Sequence, residues 1–335
     1  MHENTFDIFG LGRTEADAAV VLVPVAFRLT TSYGGGCEDG PRAIAAASPQ
    51  LDFHDRRFGD VDERGIFMRP EDPEIRSLGL SNLDLAERAR SAGDPGARDA
   101  VNAASERVFA FVRRQTGEIL DAGRLPGVIG GEHAVAEGCI VEAAARHPGL
   151  GVLQIDAHMD LRASYEGFDR SHASVMHNVL RSEAVGSLVQ VGMRDCCVEE
   201  TRAARSDERV RVFFADDLAD RGFRGESFAS VASEIVSALP DDVWISFDID
   251  GLEPSLCPGT GTPVPGGLSF AQASHLLHRL AVSGRRVVGF DLTEVAPSET
   301  GSDRDSIDAI VGARVLYRLC GAALLARERL TAPAG

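Results

Sequence analysis

Five consecutive residues, Asp156-Ala157-His158-Met159-Asp160, place two carboxylates around an imidazole at alternate positions. Side chains two residues apart share one side of an extended backbone, so all three can converge on a single point. Oxygen and imidazole donors that converge in this way suit a divalent cation. The alternation recurs at Asp248 and Asp250 in Ser246-Phe247-Asp248-Ile249-Asp250. Carboxylates held side by side repel one another unless a cation sits between them. A third piece, Gly130-Gly131-Glu132-His133, joins a sharp glycine turn to an inward-facing histidine. Taken singly, the first stretch could be a capping cluster, the aspartate pair an ordinary turn and His133 a satisfied core histidine. Their joint occurrence favours chemistry.

Each piece follows a short apolar run. Strands are predicted at Ala19–Val25, Gly127–Gly130, Gly151–Ile155, Ser187–Val191, Val210–Phe214, Val243–Phe247 and Arg286–Phe290. Between them lie helical patterns near Pro41–Ala47, Ala100–Ala122, Ala134–Arg146, His172–Ser182, Phe228–Leu239, Phe270–Ser283 and Ser306–Arg327. Alternation of this kind predicts an α/β fold on a mostly parallel sheet. It puts the three pieces at carboxyl ends of strands, where open α/β sheets hold their ligands. With no repeat and no low-complexity linker, residues 1–335 read as a single domain. Residues 1–18 are an N-terminal extension, the polar segment 69–97 with Pro70, Pro73 and Pro95 is a surface insertion, and 330–335 is a tail.

His133, Asp156, His158, Asp160, Asp248 and Asp250 together offer four carboxylates and two imidazoles. A set this rich in oxygen favours Mn²⁺ over zinc, with Ni²⁺ or Co²⁺ compatible. Six donors exceed the needs of one ion, which points to a pair.

The composition narrows the alternatives. A net charge of −17 argues against nucleic acid and is compatible with a cationic substrate. All 34 basic residues are arginine, which removes P-loop and Schiff-base lysines. The six cysteines form no CxxC pair, as expected of reduced thiols. No run of about 18 uninterrupted apolar residues occurs, and the opening MHENTFDIFG lacks the blocks of a signal peptide. A cytoplasmic enzyme without a membrane partner is therefore expected.

At this point the chain resembles the ureohydrolase family of arginases and agmatinases over nearly its whole length. Gly130–His133 is similar to the family's GGDH or GGEH, and DAHMD to its DAHxD. The stretch Ser246–Ser269, SFDIDGLEPSLCPGTGTPVPGGLS, follows its SxDxDxxDPxxxPGTGTPxPGG, and Asp291–Pro297 its DxxEVxP. Gly36–Pro41 with Ile44 is similar to its entry loop and first helix. The resemblance implies a three-layer αβα domain, a binuclear manganese centre on the six donors named above, and a homo-oligomer, trimer or hexamer. It further implies His172 as the proton shuttle and Glu294 as the carboxylate that meets the substrate guanidinium. Glu253 and Ala134 depart from the family's aspartate and serine.

Asp160–Gly167, DLRASYEG, resembles the DLRxxYEG loop of agmatinase-type members, which implies Tyr165 at the substrate and agmatine, cleaved to putrescine and urea, as first choice. Asp195 in Gly192-Met193-Arg194-Asp195 stands where arginases carry an acid that contacts an amino group, and it suits a distal ammonium equally. An arginase, or a hydrolase of another guanidino acid or of guanidine, is the alternative. Two other classes stand further off. A two-metal phosphoesterase would carry a GNH[DE] motif, which is absent, and a non-catalytic partner subunit would be expected to lose His172 or Glu294, which are both present.

Overall fold

The computed structural model describes residues 7–297 and 305–331. Its frame is an eight-stranded sheet. In chain order the strands are β1 (Val20–Val25), β2 (Ile66–Met68), β3 (Leu125–Gly130), β4 (Leu150–Ile155), β5 (Val185–Met193), β6 (Val210–Phe214), β7 (Asp242–Asp248) and β8 (Arg286–Thr293). They lie side by side as β2-β1-β3-β8-β7-β4-β5-β6, and every pairing is parallel. Parallel strands buried on both faces read as continuous apolar runs, because no face is left for water. In β1, VVLVPV, Val20 and Leu22 enter the core on one side of the sheet, and Val21, Val23 and Val25 the core on the other.

The helices are α1 (Gly40–Ala47), α2 (Pro73–Leu80), α3 (Leu83–Ala92), α4 (Pro95–Asp121), α5 (Ala136–Arg146), α6 (Val175–Leu180), α7 (Val198–Ser206), α8 (Ala215–Phe223), α9 (Phe228–Ser237), α10 (Phe270–Ala281) and α11 (Ile307–Thr331). Buried residues of α1, α9, α10 and α11 form the core on one face, and those of α3, α4, α5 and α6 the core on the other. The result is the expected three-layer αβα arrangement. Within α11, Ile307–Leu330 is long and apolar enough to span a membrane. It packs instead against β8, α1 and α10, and 78% of its most apolar window is buried inside the fold.

Strand β2 and helices α2, α3, α7 and α8 lie outside the sequence-based expectation. Strand β2 is only three residues long, at the sheet edge. Helix α7 buries just Glu200 and Ala204 and shows no apolar stripe, whereas α8 sets Ala215, Leu218, Ala219 and Phe223 at helical spacing but buries none of them fully. What starts α7 is capping: the Cys197 side chain takes the Glu200 N–H, and the Glu200 carboxylate takes the Cys197 N–H. Residues 69–97 carry α2, α3 and the start of α4, with Asp72 and Asp94 as N-caps. From this segment Ile75, Ala86 and Ala89 reach the second core. The helix expected at His172–Ser182 opens with a 3₁₀ turn, His172–Ser174, before α6.

Candidate metal centre and active site

The site lies at the carboxyl ends of β1, β3, β8, β7, β4 and β5, which are consecutive in the sheet. Polar residues within the strands prepare it. Gln154, Gln190, Ser246, Asp291 and Thr293 are all fully buried near those ends. Gln154 donates to the Asp156 carboxylate at 2.8 Å, and Gln190 donates to Gln154 at 2.6 Å. Asx turns fix the loops beyond: Asp156 Oδ1 accepts the His158 N–H at 2.6 Å, and Asp248 Oδ1 the Asp250 N–H at 2.9 Å. Asp250 Oδ1 accepts the Ala157 N–H at 3.0 Å, which ties the β7 loop to the β4 loop.

Two non-glycine site residues occupy left-handed backbone, Asp160 at φ 54° and Glu294 at φ 60°. Such strain persists where the surroundings impose it. The Asp160 carbonyl accepts the N–H groups of Met176 and His177 at the start of α6, and Glu294 N–H donates to the Gly131 carbonyl at 2.9 Å. Gly131 admits nothing larger, because a Cβ there would stand 2.0 Å from the Phe27 carbonyl oxygen.

The predicted donors converge. His133 Nδ1 lies 3.2 Å from Asp156, 2.9 Å from Asp160 and 3.3 Å from Asp248. His158 Nδ1 lies 3.0 Å from Asp250 and 3.6 Å from Asp156. Two groups able to hold an ion follow, His133/Asp156/Asp160 and Asp156/His158/Asp250, and they share Asp156.

The hydrogen-bond pattern tests the fit. Ser246 Oγ donates to Asp291 at 2.9 Å, so it accepts from His133 Nε2–H, also 2.9 Å away. Trp244 Nε1 holds the other Asp291 oxygen at 2.6 Å. With one proton on Nε2, His133 turns Nδ1 toward carboxylate oxygens, and Asp156 and Asp160 draw a positive charge, a second proton or a metal ion, to that nitrogen. Both His133 Nδ1 and Asp160 Oδ2 are buried without a hydrogen-bond partner. Lone pair facing lone pair inside a protein is unfavourable unless a cation lies between them. The residues fit divalent metal.

Their ionisation tells the same story. Burial opposes charge on His158, but Asp250 and Asp156 outweigh it and push the imidazole up to about 12. Burial, with the charge of Asp156, pushes Asp160 up to about 7. Burial, then Asp250, holds Asp248 well above the usual carboxylate range. Glu294 is pushed up to about 8 by burial and by Glu132. Crowded acids of this kind need a positive charge, and without metal only protons supply it.

His133, His158, Asp160, Asp248, Asp250, Tyr165, His172, Asp195 and Glu294 line one cavity of about 160 Å³, and Asp156 lies buried beneath it. The space is small, well below the roughly 300 Å³ of a drug-sized pocket. Glu294 Oε1 accepts the His133 N–H at 2.7 Å, while the rest of the carboxylate lies by Gly261 in the cavity wall. His172 meets the Tyr165 ring edge to face at 5.6 Å, and burial, His158 and Arg90 lower its pKa to about 3. Asp195 stands at the rim with its side chain 69% exposed, 3.9 Å from His158.

The chain matches the arginase family model over residues 18–321. It belongs to the arginase family. Relatives and solved structures agree. The chain is 34% identical over 311 residues to the N(1)-aminopropylagmatine ureohydrolase of Synechocystis, covering 91% of this chain and 89% of the relative. It is 31% identical over 293 residues to the agmatinase of Bacillus anthracis, covering 88% and 89%. The fold overlays that of the agmatine ureohydrolase of Thermoplasma volcanium with a TM-score of 0.72 at 21% identity, covering 98% and 97%. This arginase-family chain is an amidinohydrolase of the ureohydrolase type, and the phosphoesterase reading lapses with the family match.

Several residues that shape the site escaped sequence reasoning. Ser246, Asp291 and Glu132 sit inside the diagnostic motifs, where nothing in the sequence sets the two acids apart as supports rather than ligands. For Ser246 a signal existed, since it shares strand parity with Asp248. Arg162 and Glu200 line the cavity 3.7 Å apart, and no spacing in the sequence pairs them.

Proposed function

We propose that this chain hydrolyses a guanidinoalkylamine, agmatine first among them, to urea and a diamine with two divalent cations at His133, Asp156, His158, Asp160, Asp248 and Asp250. The observation that carries the reading is the pair of donor groups sharing Asp156 beneath a cavity walled by Glu294 and His172. Mn²⁺ suits the oxygen-rich donors, with Ni²⁺ or Co²⁺ as substitutes, and the metal pair would supply activated water at neutral pH.

The chain's own residues do the rest. Glu294 faces the guanidinium and fixes its plane through charge-assisted hydrogen bonds. Water adds to the guanidinium carbon, the bond to the alkyl nitrogen breaks, and the products are urea and an alkylammonium. His172 passes to the departing nitrogen the proton that the attacking water gives up; its lowered pKa keeps the resting imidazole neutral and free to take that proton. Tyr165 packs on His172 and steadies the ring. Asp195 at the rim pairs with the distal ammonium. Arg162 offers no free charge to a distal carboxylate, because it stacks over Tyr165 at 4.9 Å and faces Glu200, an arrangement that favours an amine end over a guanidino acid.

A second reading, N(1)-aminopropylagmatine, has its own support. The Synechocystis relative carries that name, and Asp195 and the 77% exposed Tyr33 line a mouth open to a longer amine. The enzyme works in the cytoplasm as a homo-oligomer, a trimer or hexamer, engaging neither membrane nor nucleic acid. The test is urea release over a panel of agmatine, N(1)-aminopropylagmatine, arginine, guanidinobutyrate and guanidine, with Mn²⁺ and Ni²⁺ in parallel. Turnover of the two amines ahead of the acids is expected. A chain that releases urea from none of them overturns the proposal.

A further inference from the structure

The loop after β1 reaches the site through a residue whose side chain never enters the cavity. Glu132 is fully buried between His133 and the β1 loop. Its Oε2 accepts three consecutive backbone N–H groups, from Leu29 at 2.9 Å, Thr30 at 2.7 Å and Thr31 at 3.1 Å. Its Oε1 accepts the Thr30 hydroxyl at 2.9 Å. That hydroxyl in turn accepts the His172 backbone N–H at 3.1 Å and lies 3.5 Å from His172 Nδ1. Two residues on, Ser32 Oγ lies 3.4 Å from His172 Nε2. Both ring nitrogens of His172 thus face hydroxyls on the loop that Glu132 holds, and one of those hydroxyls is oriented by Glu132 itself.

We propose that Glu132 and Thr30 are positioning residues for His172: Glu132 clamps the loop and aims the Thr30 hydroxyl, and Thr30 sets where the imidazole sits and which way it turns. With its proton directed at Glu132, the Thr30 oxygen meets His172 as an acceptor. Nδ1 then faces Thr30 as N–H, and Nε2 is the nitrogen turned toward Ser32 and the cavity. A buried carboxylate taking four hydrogen bonds is a rigid fixture, which is what a proton donor that must stay within a fraction of an ångström requires. The role in turnover rests on the reading of His172 as the proton donor.

Thr30→Val keeps the shape of the side chain and every backbone bond to Glu132 while removing the hydroxyl. A positioned general acid contributes about 10²- to 10⁴-fold to rate. Thr30→Val is expected to lower kcat about 10²-fold with KM within about twofold of wild type, manganese content unchanged, Tm lower by a few degrees for the lost buried hydrogen bonds, and Thr30→Ser restoring most of the rate. Adding Thr30→Val to His172→Ala should cost nothing more, because residues that act as a unit are not additive. A Thr30→Val enzyme with wild-type kcat, or a double variant whose losses multiply, overturns the proposal.

One readout needs no substrate and separates this inference from the functional reading. Diethyl pyrocarbonate labelling of the metal-loaded protein, mapped by mass spectrometry, should acylate His172 at least about threefold faster in Thr30→Val and Glu132→Gln than in wild type, with His177 as the internal reference. An unchanged ratio of His172 to His177 overturns the positioning role even if the wild type proves inactive on every guanidino compound. A raised ratio in an inactive wild type supports the positioning role and rejects only the proposed reaction.

Discussion

Exchanging Glu294 for glutamine probes the site at the point where substrate and scaffold share one side chain. Glu294 Oε1 is held by the His133 N–H at 2.7 Å, and the peptide around Glu294 is pinned by Gly131 and by the Thr260 hydroxyl, which donates to the Glu294 carbonyl at 2.9 Å. In Glu294→Gln the amide oxygen is expected to keep the His133 N–H, which turns the NH₂ group toward the cavity. A guanidinium carries only donors, so an acceptor is replaced by a donor where the substrate needs one. Losing a hydrogen bond to a charged partner costs about 1.5–3 kcal/mol. At about 1.4 kcal/mol per decade, kcat/KM on agmatine should fall roughly 10- to 150-fold, mostly through KM. Manganese content, measured by elemental analysis on the same preparation, should stay at the wild-type value, because Glu294 belongs to neither donor group. Steady-state urea release with metal-loaded variant and wild type is the assay. A kcat/KM within about threefold of wild type refutes the contact, and loss of metal from the variant refutes the division between ligands and substrate carboxylate.

Other perturbations separate the remaining roles. His158→Ala and Asp250→Ala each remove a donor from the group that shares Asp156, so both should bind less metal per chain and lose urea release together; an active, fully loaded His158→Ala contradicts the assignment. Ser246→Ala leaves His133 Nε2–H without its relay to Asp291 and should weaken metal binding about 10- to 100-fold in a chelator competition, whereas unchanged affinity would make that relay incidental. Metal-stripped protein should lose stability as pH rises from about 4 to 8. Asp160, raised to about 7, and Glu294, raised to about 8, favour the folded state only while protonated, and His158, raised to about 12, contributes below its unfolded value near 6.5 and progressively less above it; together they outweigh His172, lowered to about 3, which works the other way up to about pH 6.5. Melting curves should therefore show Tm falling with pH for the stripped chain and less so after Mn²⁺ is added; a stripped chain most stable at pH 8 contradicts the picture. Gly131→Ala forces a Cβ to within 2.0 Å of the Phe27 carbonyl and should cost about 3 kcal/mol or more, read as a lower urea midpoint at unchanged m; a near-neutral result would show that the turn can yield.

The sheet was legible because buried parallel strands must be apolar along their length: the runs in β1, β3, β4 and β7 are too hydrophobic to be surface. The donors were legible for a related reason, since ionisable residues two apart at the end of an apolar run have few structural uses. What stayed hidden depends on contacts across the chain. Glu132 looks like one more acid in a motif until the fold brings Leu29, Thr30 and Thr31 to it. Arg162 is only one letter of the DLRASYEG loop until Glu200, on a helix that its own sequence does not announce, is placed opposite. Helix α7 buries too little to leave a helical period, and strand β2 is held by its neighbour β1 rather than by any pattern of its own. Such elements are fixed by tertiary contact, to which local periodicity is blind.

The central claim is that loops from separate strands gather two cations over the shared carboxylate Asp156. Titration of metal-stripped protein with Mn²⁺, counting bound metal per chain while following urea release from agmatine in the same samples, tests it most directly. Saturation at two ions per chain, with activity rising as the second ion binds, is the expected result. Saturation at fewer than two ions, or urea release from the metal-free chain, would contradict the account.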